Sequence, residues 1–563
     1  MKRICKILSL LLAVVLLLSA CQTDPTPTTG SSAVETETVP GTEPVQTTLL
    51  PVVDSSDAAT TAPATTGSDE PAPVDLGGYA VSSSTKEATA AGMEILRKGG
   101  NAVDAAVAVA MALGVTEPYS SGLGGSGVMV VYDPVKDRGY SLDYYACAGS
   151  AESSTDCVGV PGFLAGMQEA LDRWGTMALR DVIEPAIDLA ENGFPATAMF
   201  ARRLNYSAKL SKNKAFANVR EGDTVVQTEL AETLKLIRDE GMSVFYTGQI
   251  AQDIADACEL DLMDLAAYKV NRYSALRSRF NGIRVYTTTA PTSGVVTSEM
   301  LTAADLMDVP DPREDPDGYL DVMKLATEIG YTTRRNKLVD PRFYDFDGKA
   351  LVSRKYVRKL VRKALAAEGK TLMVEPDPER RCTTQFAVID RNGMLVCVTN
   401  TLSDNWGGYI YVDGFYLNNT LSNFNKTGKN AYEPHKRPRT HFSPVIVIGD
   451  DGYRLAIGSP GGDAIPKVVA QVLIDVLKFD MDLQEAVDMA RYYFDDDGLL
   501  CLETVGENDS RIDMERISHR YYYSSSHVVF GCTAIAGYDP DKGIVAVSDL
   551  RRDGSDSQIA TDN

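Results

Sequence analysis

Hydrophobic residues change their spacing along this chain, and the change divides it. YAVSSS at 79–84 reads as a short strand, and Ala91, Ile95 and Leu96 then recur at helical spacing on one face. Gly99-Gly100 stops that helix, and Asn101 is placed to cap a second. The second helix is Ala-rich with few bulky side chains, a composition that packs closely and is buried. A glycine-rich turn, YSSGLGGSG, leads into a strand, VMVVYD. Residues 163–270 read as mainly helical, with amphipathic runs such as LAETLKLIRDEG. Beyond Thr383 the period becomes that of strands and turns: FAVID, RNG, MLVCVTNT, then FYLNN, then FSPVIVIGDDGYRLAIGSPGG. No internal repeat is visible. The pattern predicts an α+β or layered α/β chain, helices early and strands late.

The first residues are patterned differently. MKRICK is basic, ILSLLLAVVLLLSA is an apolar run of signal-peptide length, and Cys21 follows. LSAC resembles the lipobox of bacterial lipoproteins, which makes Cys21 the expected lipidation site and 1–20 a signal peptide. A plain signal peptide cut nearby, or an uncleaved anchor, are the alternatives. Residues 21–77 are rich in Thr, Pro, Ser and Ala, and 22–75 contain no Lys or Arg. That composition reads as an extended tether. The expected location is extracytoplasmic, on the membrane through a lipid anchor, since no later apolar run has spanning length.

Charge and cysteine content narrow the function. The net charge of −22 over 563 residues gives nucleic-acid binding no electrostatic support. Nine cysteines form no CxxC pair, the four histidines sit at 435, 441, 519 and 527, and HExxH is absent, so no metal site is expected. Cys147 and Cys157 are close enough in sequence for a disulfide outside the cell, but their pairing is not deducible.

Three short stretches carry candidate chemistry. SGLGGSG at 121–127 precedes a strand, so it lacks dinucleotide-loop geometry and reads mainly as close backbone packing. GSPGG at 458–462 joins a strand to a helix, where converging backbone N–H groups can hold an oxyanion. RCTTQFAVID at 381–390 opens a core strand with two threonines. A Thr-Thr pair is common at strand edges. If the Cys382–Thr383 bond is cut, however, Thr383 gains an α-amine of reference pKa about 7.7–8.0 beside its own hydroxyl, a base for the nucleophile.

These stretches, with GGNAVDAAVAVAMALGVTEP, VGVPGFLAGMQEALDRWGTM, GDTVVQTELAETL, APTSG, VTNTLS and SDLRRDG, resemble the γ-glutamyltransferases (γ-glutamyltranspeptidases). The likeness runs from about Gly78 to about Gly554. It implies an N-terminal-nucleophile hydrolase, an αββα layered sandwich autocleaved at Cys382–Thr383 into a large subunit (78–382) and a small one (383–563). It implies Thr383 as nucleophile, Thr401 beside its amine, and Gly461 and Gly462 as the oxyanion pair. The implied reaction cleaves γ-glutamyl amides through an acyl-enzyme, with transfer to water or an amine, and needs no cofactor. Cys382, as the new C-terminus of the large subunit, is a poor alternative nucleophile.

The substrate half departs from the family pattern. Tyr145 stands where many members carry a carboxylate-gripping Arg. Ser403 replaces an Asn, Thr420 a Gln or Glu, Asn423 an Asp, and Thr440-His441 a Ser-Ser pair. A zwitterionic head group normally needs a cation and an anion, so recognition has been rebuilt here. Arg439 is a candidate for the new clamp, whereas Arg437 reads as structural. A covering loop found in several members is short here, NKTGKNAYEPHK at 425–436, which leads us to expect an open groove. The rival functions are a related acylase or poly-γ-glutamate depolymerase or transpeptidase with another head group, and a catalytically inactive binding lipoprotein.

Overall fold

The computed structural model describes residues 74–205, 210, 213, 215–367, 382–494, 499–503, 517–524 and 530–562. The predicted signal peptide, Cys21 and nearly all of the tether lie outside these residues.

The strand that begins at Cys382 explains the architecture. All eight residues of Cys382–Ile389 are buried, so the strand must be covered on both faces. Phe386 and Val388 point into a core shared with the Ala-rich helix Ala102–Thr116. Ala387 and Ile389 point the other way, onto Ile446, Ile448, Ala456 and Ala536. The first face meets helices and the second meets another sheet.

The first sheet has seven strands in the order Asp556–Thr561, Gly78–Ser83, Cys382–Ile389, Leu395–Ser403, Ser126–Asp133, Arg138–Tyr144 and Asn271–Ser274. The second has six: Gly543–Ser548, Ala534–Asp539, Arg454–Gly458, Val445–Ile448, Ile283–Thr287 and Leu276–Phe280. Its outer face, with Val445, Val447, Leu455 and Ile457, packs on Gly294–Leu306, Pro316–Lys337, Arg354–Leu365 and Ile465–Phe479. The layers are therefore helix, sheet, sheet, helix, as the resemblance implied. Residues 70–563 form one unit.

Local chemistry fixes the helices nearest the site. Asn101 Oδ1 accepts from the backbone N–H of Val103 and Asp104, and Asp104 returns the bond to Asn101 N–H at 2.9 Å, a complete capping box. A Cβ on Gly92 would lie 2.6 Å from Val109, which is how helix Lys86–Arg97 comes so close to the Ala-rich helix. In the turn after the nucleophile strand, the Asp390 carboxylate accepts from Ala102, Asn392 and Met394 N–H, tying the hairpin to that helix.

Several elements differ from the sequence reading. Early residues supply strands to both sheets, including the hairpin Leu276–Phe280 and Ile283–Thr287. FYLNN gives only the two-residue strand Phe415–Tyr416. Asn418 ends it by donating to Gly124 and Gly159 carbonyls and accepting from Thr420 N–H, so side-chain bonds replace the ladder. Cys147 and Cys157 both carry free thiols. Among the described residues no helix is long and apolar enough to cross a membrane.

Candidate active site

Strand register delivers Thr383. It shares a face with Gln385, whose side chain fills the space above Gly458, so Thr383 faces the second sheet where the GSPGG loop leaves it. Gly461 and Gly462 have φ of 128° and 59°, a conformation that glycine adopts freely. Added to Gly461, a Cβ would sit 3.1 Å from Gly531 Cα. The loop ends in a short 3-10 turn that feeds helix Ile465–Phe479, as read from the sequence. Thr383, Cys382, Gly461, Ser120 and Arg552 line one cavity of about 40 Å³, space enough for a water.

The neighbouring strand carries a bulge. Asn400 pairs with Thr384 and Ser403 with Cys382, so three steps on one strand match two on the other. Ser403 takes a positive φ of 78°. The bulge turns the Thr401 hydroxyl onto the Cys382 carbonyl, to which it donates, while Ser403 N–H donates to the same hydroxyl oxygen at 2.8 Å. That carbonyl belongs to the peptide bond before Thr383, so a polarising donor is already in place at the expected cut. The Cys382 thiol donates to Tyr119 O at 3.0 Å, and burial pushes its pKa up. It is held as a neutral thiol, which argues against it as nucleophile.

An arginine that the sequence reading left unassigned anchors the Thr383 backbone. Arg552 forks onto the buried Glu117 carboxylate at 2.9 and 2.6 Å, and its remaining donors reach Thr383 O at 2.9 Å and Ser120 Oγ at 3.2 Å. The Tyr119 hydroxyl adds a third bond to Glu117. Tyr331 was also missed. Its hydroxyl donates to the carbonyl of Asp463, the residue after the oxyanion pair, and its ring lies 6.0 Å from His441. Arg552 and Ser120 sit in the quoted SDLRRDG run and next to the SGLGGSG run, but no spacing rule marked them as neighbours of Thr383.

The glycines of SGLGGSG serve close approach: a Cβ on Gly124, Gly125 or Gly127 would fall 2.2–2.6 Å from Tyr416 O, Thr401 O or Asn400 Oδ1. This packing presses the loop against the bulged strand.

The substrate-half residues are buried, and the structure links several of them. Asn423 Nδ2 donates to Tyr145 Oη at 2.9 Å and to Ser403 Oγ at 3.3 Å. Ser403 continues through its N–H to Thr401, so the network reaches the Cys382 carbonyl. Asn423 Oδ1 and Thr420 Oγ1 are buried acceptors without a protein partner. Thr440 N–H donates to Pro291 O, its carbonyl accepts from the Ser293 hydroxyl, and His441 packs on Tyr331. Arg439 donates to the Arg334 and Arg335 carbonyls at a helix C-terminus and to Asn425. Arg437 donates to Tyr145 O and Lys269 O and lies 3.5 Å from Asp143, in a packing role. The short segment 425–436 folds on itself, and Asn430 braces both Asn423 O and Arg439 N–H. It acts as a strut for the recognition residues.

The family model for gamma-glutamyltranspeptidase matches residues 88–559. The chain belongs to the gamma-glutamyltranspeptidase family. It is 36% identical over 429 residues to the capsule biosynthesis protein CapD proenzyme of Bacillus anthracis, covering 75% of this chain and 79% of that one. It is 32% identical over 523 residues to the glutathione hydrolase proenzyme of Bacillus subtilis strain 168, covering 82% and 88%. The crystal structure of a cephalosporin acylase from Bacillus halodurans shares the fold, with a TM-score of 0.72, 23% identity, and 90% and 99% coverage. The chain thus has the N-terminal-nucleophile hydrolase fold and is an enzyme by family.

Proposed function

We propose that this protein cuts itself before Thr383 and then cleaves γ-glutamyl amides, passing the acyl group to water or to an amino acid or peptide amine. The observation that carries the reading is the Thr401 hydroxyl seated on the Cys382 carbonyl, with Thr383 and Gly461 in one cavity. In the first step Thr383 Oγ1 attacks the Cys382 carbonyl carbon. The C–N bond breaks, the acyl group moves to oxygen, and the nitrogen leaves with the electron pair and takes up the Oγ1 proton as a free amine. Water then hydrolyses the ester to a Cys382 carboxylate. In catalysis the new amine takes the proton of Oγ1, directly or through a water, as the oxygen attacks the γ-carbonyl. Gly461 and Gly462 N–H groups hold the oxyanion, the leaving amine departs protonated, and water or an acceptor amine releases the acyl group.

The partnerless acceptors Asn423 Oδ1 and Thr420 Oγ1 suit a substrate ammonium. Glutathione and other γ-glutamyl compounds are the default donors, as the names of the glutathione hydrolase relatives suggest. A second reading brings a longer γ-linked chain to Thr383, as in poly-γ-glutamate. It is favoured by the similarity to CapD and by the neutral Tyr145 where a head-group cation was expected. We assign the protein to the outer face of the membrane, anchored through Cys21.

A denaturing gel with intact-mass analysis tests the cut. Two fragments are expected, the lighter beginning Thr-Thr-Gln-Phe and carrying residues 383–563. Release of p-nitroaniline from γ-glutamyl-p-nitroanilide tests the donor. A single uncut, inactive chain overturns the enzyme reading in favour of a binding lipoprotein, whereas cut protein inert toward this donor supports a different head group.

A further inference from the structure

Helix Arg354–Leu365 carries a charge pattern unlike the rest of the molecule. The chain holds 55 Lys and Arg against 77 Asp and Glu. Between Asp347 and Glu368, however, GKALVSRKYVRKLVRKALAA contains basic residues and no acid. The helix divides into two stripes. Val357 and Val361 are buried in the outer helical core, with Tyr356, Leu360 and Ala364 packed against them. Lys355, Arg358, Lys359, Arg362 and Lys363 are all exposed. Arg354 pairs with Asp305, but among the described residues none of those five has an acidic partner. At helical rise they form a continuous cationic face about 12 Å long.

We propose that this face is a docking surface for an anionic lipid bilayer, which holds the catalytic unit against the membrane. The apolar stripe is already used inside the protein, so the contact is electrostatic and peripheral, without insertion of the helix. No aromatic side chain lies on the exposed stripe to stack on bases, which removes the usual companion of a cationic face for nucleic acid. The choice of a lipid surface rests on the anchored reading of Cys21; the charge pattern itself does not. An acyl chain at Cys21 would confine the domain near the bilayer, so each cation contact could be weak and still be occupied. The stretch between Cys21 and the fold has acids but no Lys or Arg. It has no attraction for an anionic surface, and the second contact must come from the folded unit.

The test uses protein lacking residues 1–20 and carrying Cys21→Ser, so no acyl chain or apolar leader contributes; every described residue is retained. Co-sedimentation is measured with phosphatidylcholine vesicles and with vesicles that also contain phosphatidylglycerol. Binding is expected only to the second, and it should disappear in high salt. The quadruple variant Lys355→Gln, Arg358→Gln, Lys359→Gln, Arg362→Gln should bind roughly tenfold or more weakly. It should also keep the wild-type Tm, which reports on folding. Equal binding to both vesicles, or a variant that binds like wild type, overturns the proposal. So does binding to soluble polyglutamate with none to vesicles, which would give the helix to an anionic polymer instead. Failure of the catalytic reading would leave these outcomes unchanged.

Discussion

The two halves of the site are held by different means. The catalytic half is fixed by backbone: the register of the Cys382–Ile389 strand, a bulge that aims Thr401, and two positive-φ glycines. The recognition half is a set of side-chain hydrogen bonds among Tyr145, Ser403, Asn423 and Asn430. Backbone positions cannot change without disturbing two sheets. Side-chain networks can be exchanged member by member, provided that buried groups stay satisfied. On the proposed assignments, this is how the family pattern is kept at Thr383, Gly461 and Gly462 and left at Tyr145, Ser403 and Asn423.

Mutations can sharpen or break that contrast. Thr383→Ala should abolish both self-cleavage and turnover, leaving one band on a denaturing gel. Thr401→Val keeps the shape and removes the donor on the Cys382 carbonyl. Self-cleavage, followed by intact mass over time, should slow by roughly 100-fold or more. Asn423→Ala removes a recognition contact only, so KM for a γ-glutamyl donor should rise about tenfold with kcat nearly constant. A fall in kcat of the same size would erase the distinction between the halves. Tyr331→Phe deletes the hydroxyl that steadies the residue after Gly462, and kcat should drop by up to about tenfold while KM holds.

The smallest effect is on stability. Asp475, on the helix that follows the oxyanion loop, is buried, and burial raises its carboxyl pKa to about 8. The Tyr319 hydroxyl donates to it at 3.0 Å. The folded protein therefore keeps a proton that the unfolded chain releases above its ordinary value of 3.8. Stability from this group is full below that value and is lost as pH rises toward 8. Asp475→Asn should flatten the fall of Tm with pH over that range, as thermal melts would show.

Much of the fold was legible because it is local. The Asn101 cap, the Ala-rich helix, the hairpin around RNG and the strand-to-helix turn at GSPGG follow from residue patterns and turn chemistry. The hairpin at 276–287 was not read, although LRSRF alternates as a half-buried strand does, because it is short and lies beside a long helical stretch. The bulge at Thr401 was invisible because nothing in VTNTLS marks a register shift. Arg552 lies 169 residues from Thr383 in sequence, and only the sheet order brings them together. For Arg439 the sequence could show a cation but not its neighbours. The helix end at Arg334 and Arg335 that takes up its donors is more than a hundred residues away.

The strand order has a consequence for the lifetime of the mature enzyme. Both sheets combine segments from before and after Thr383, and in the first they interleave, with Gly78–Ser83 lying between Asp556–Thr561 and Cys382–Ile389. Once the chain is severed, the pieces stay woven together, yet any complete melting sets two polypeptides adrift. Reassembly then becomes a second-order encounter that dilution defeats. The molecule passes from a reversible folder to one whose native form survives only as long as its barrier to opening.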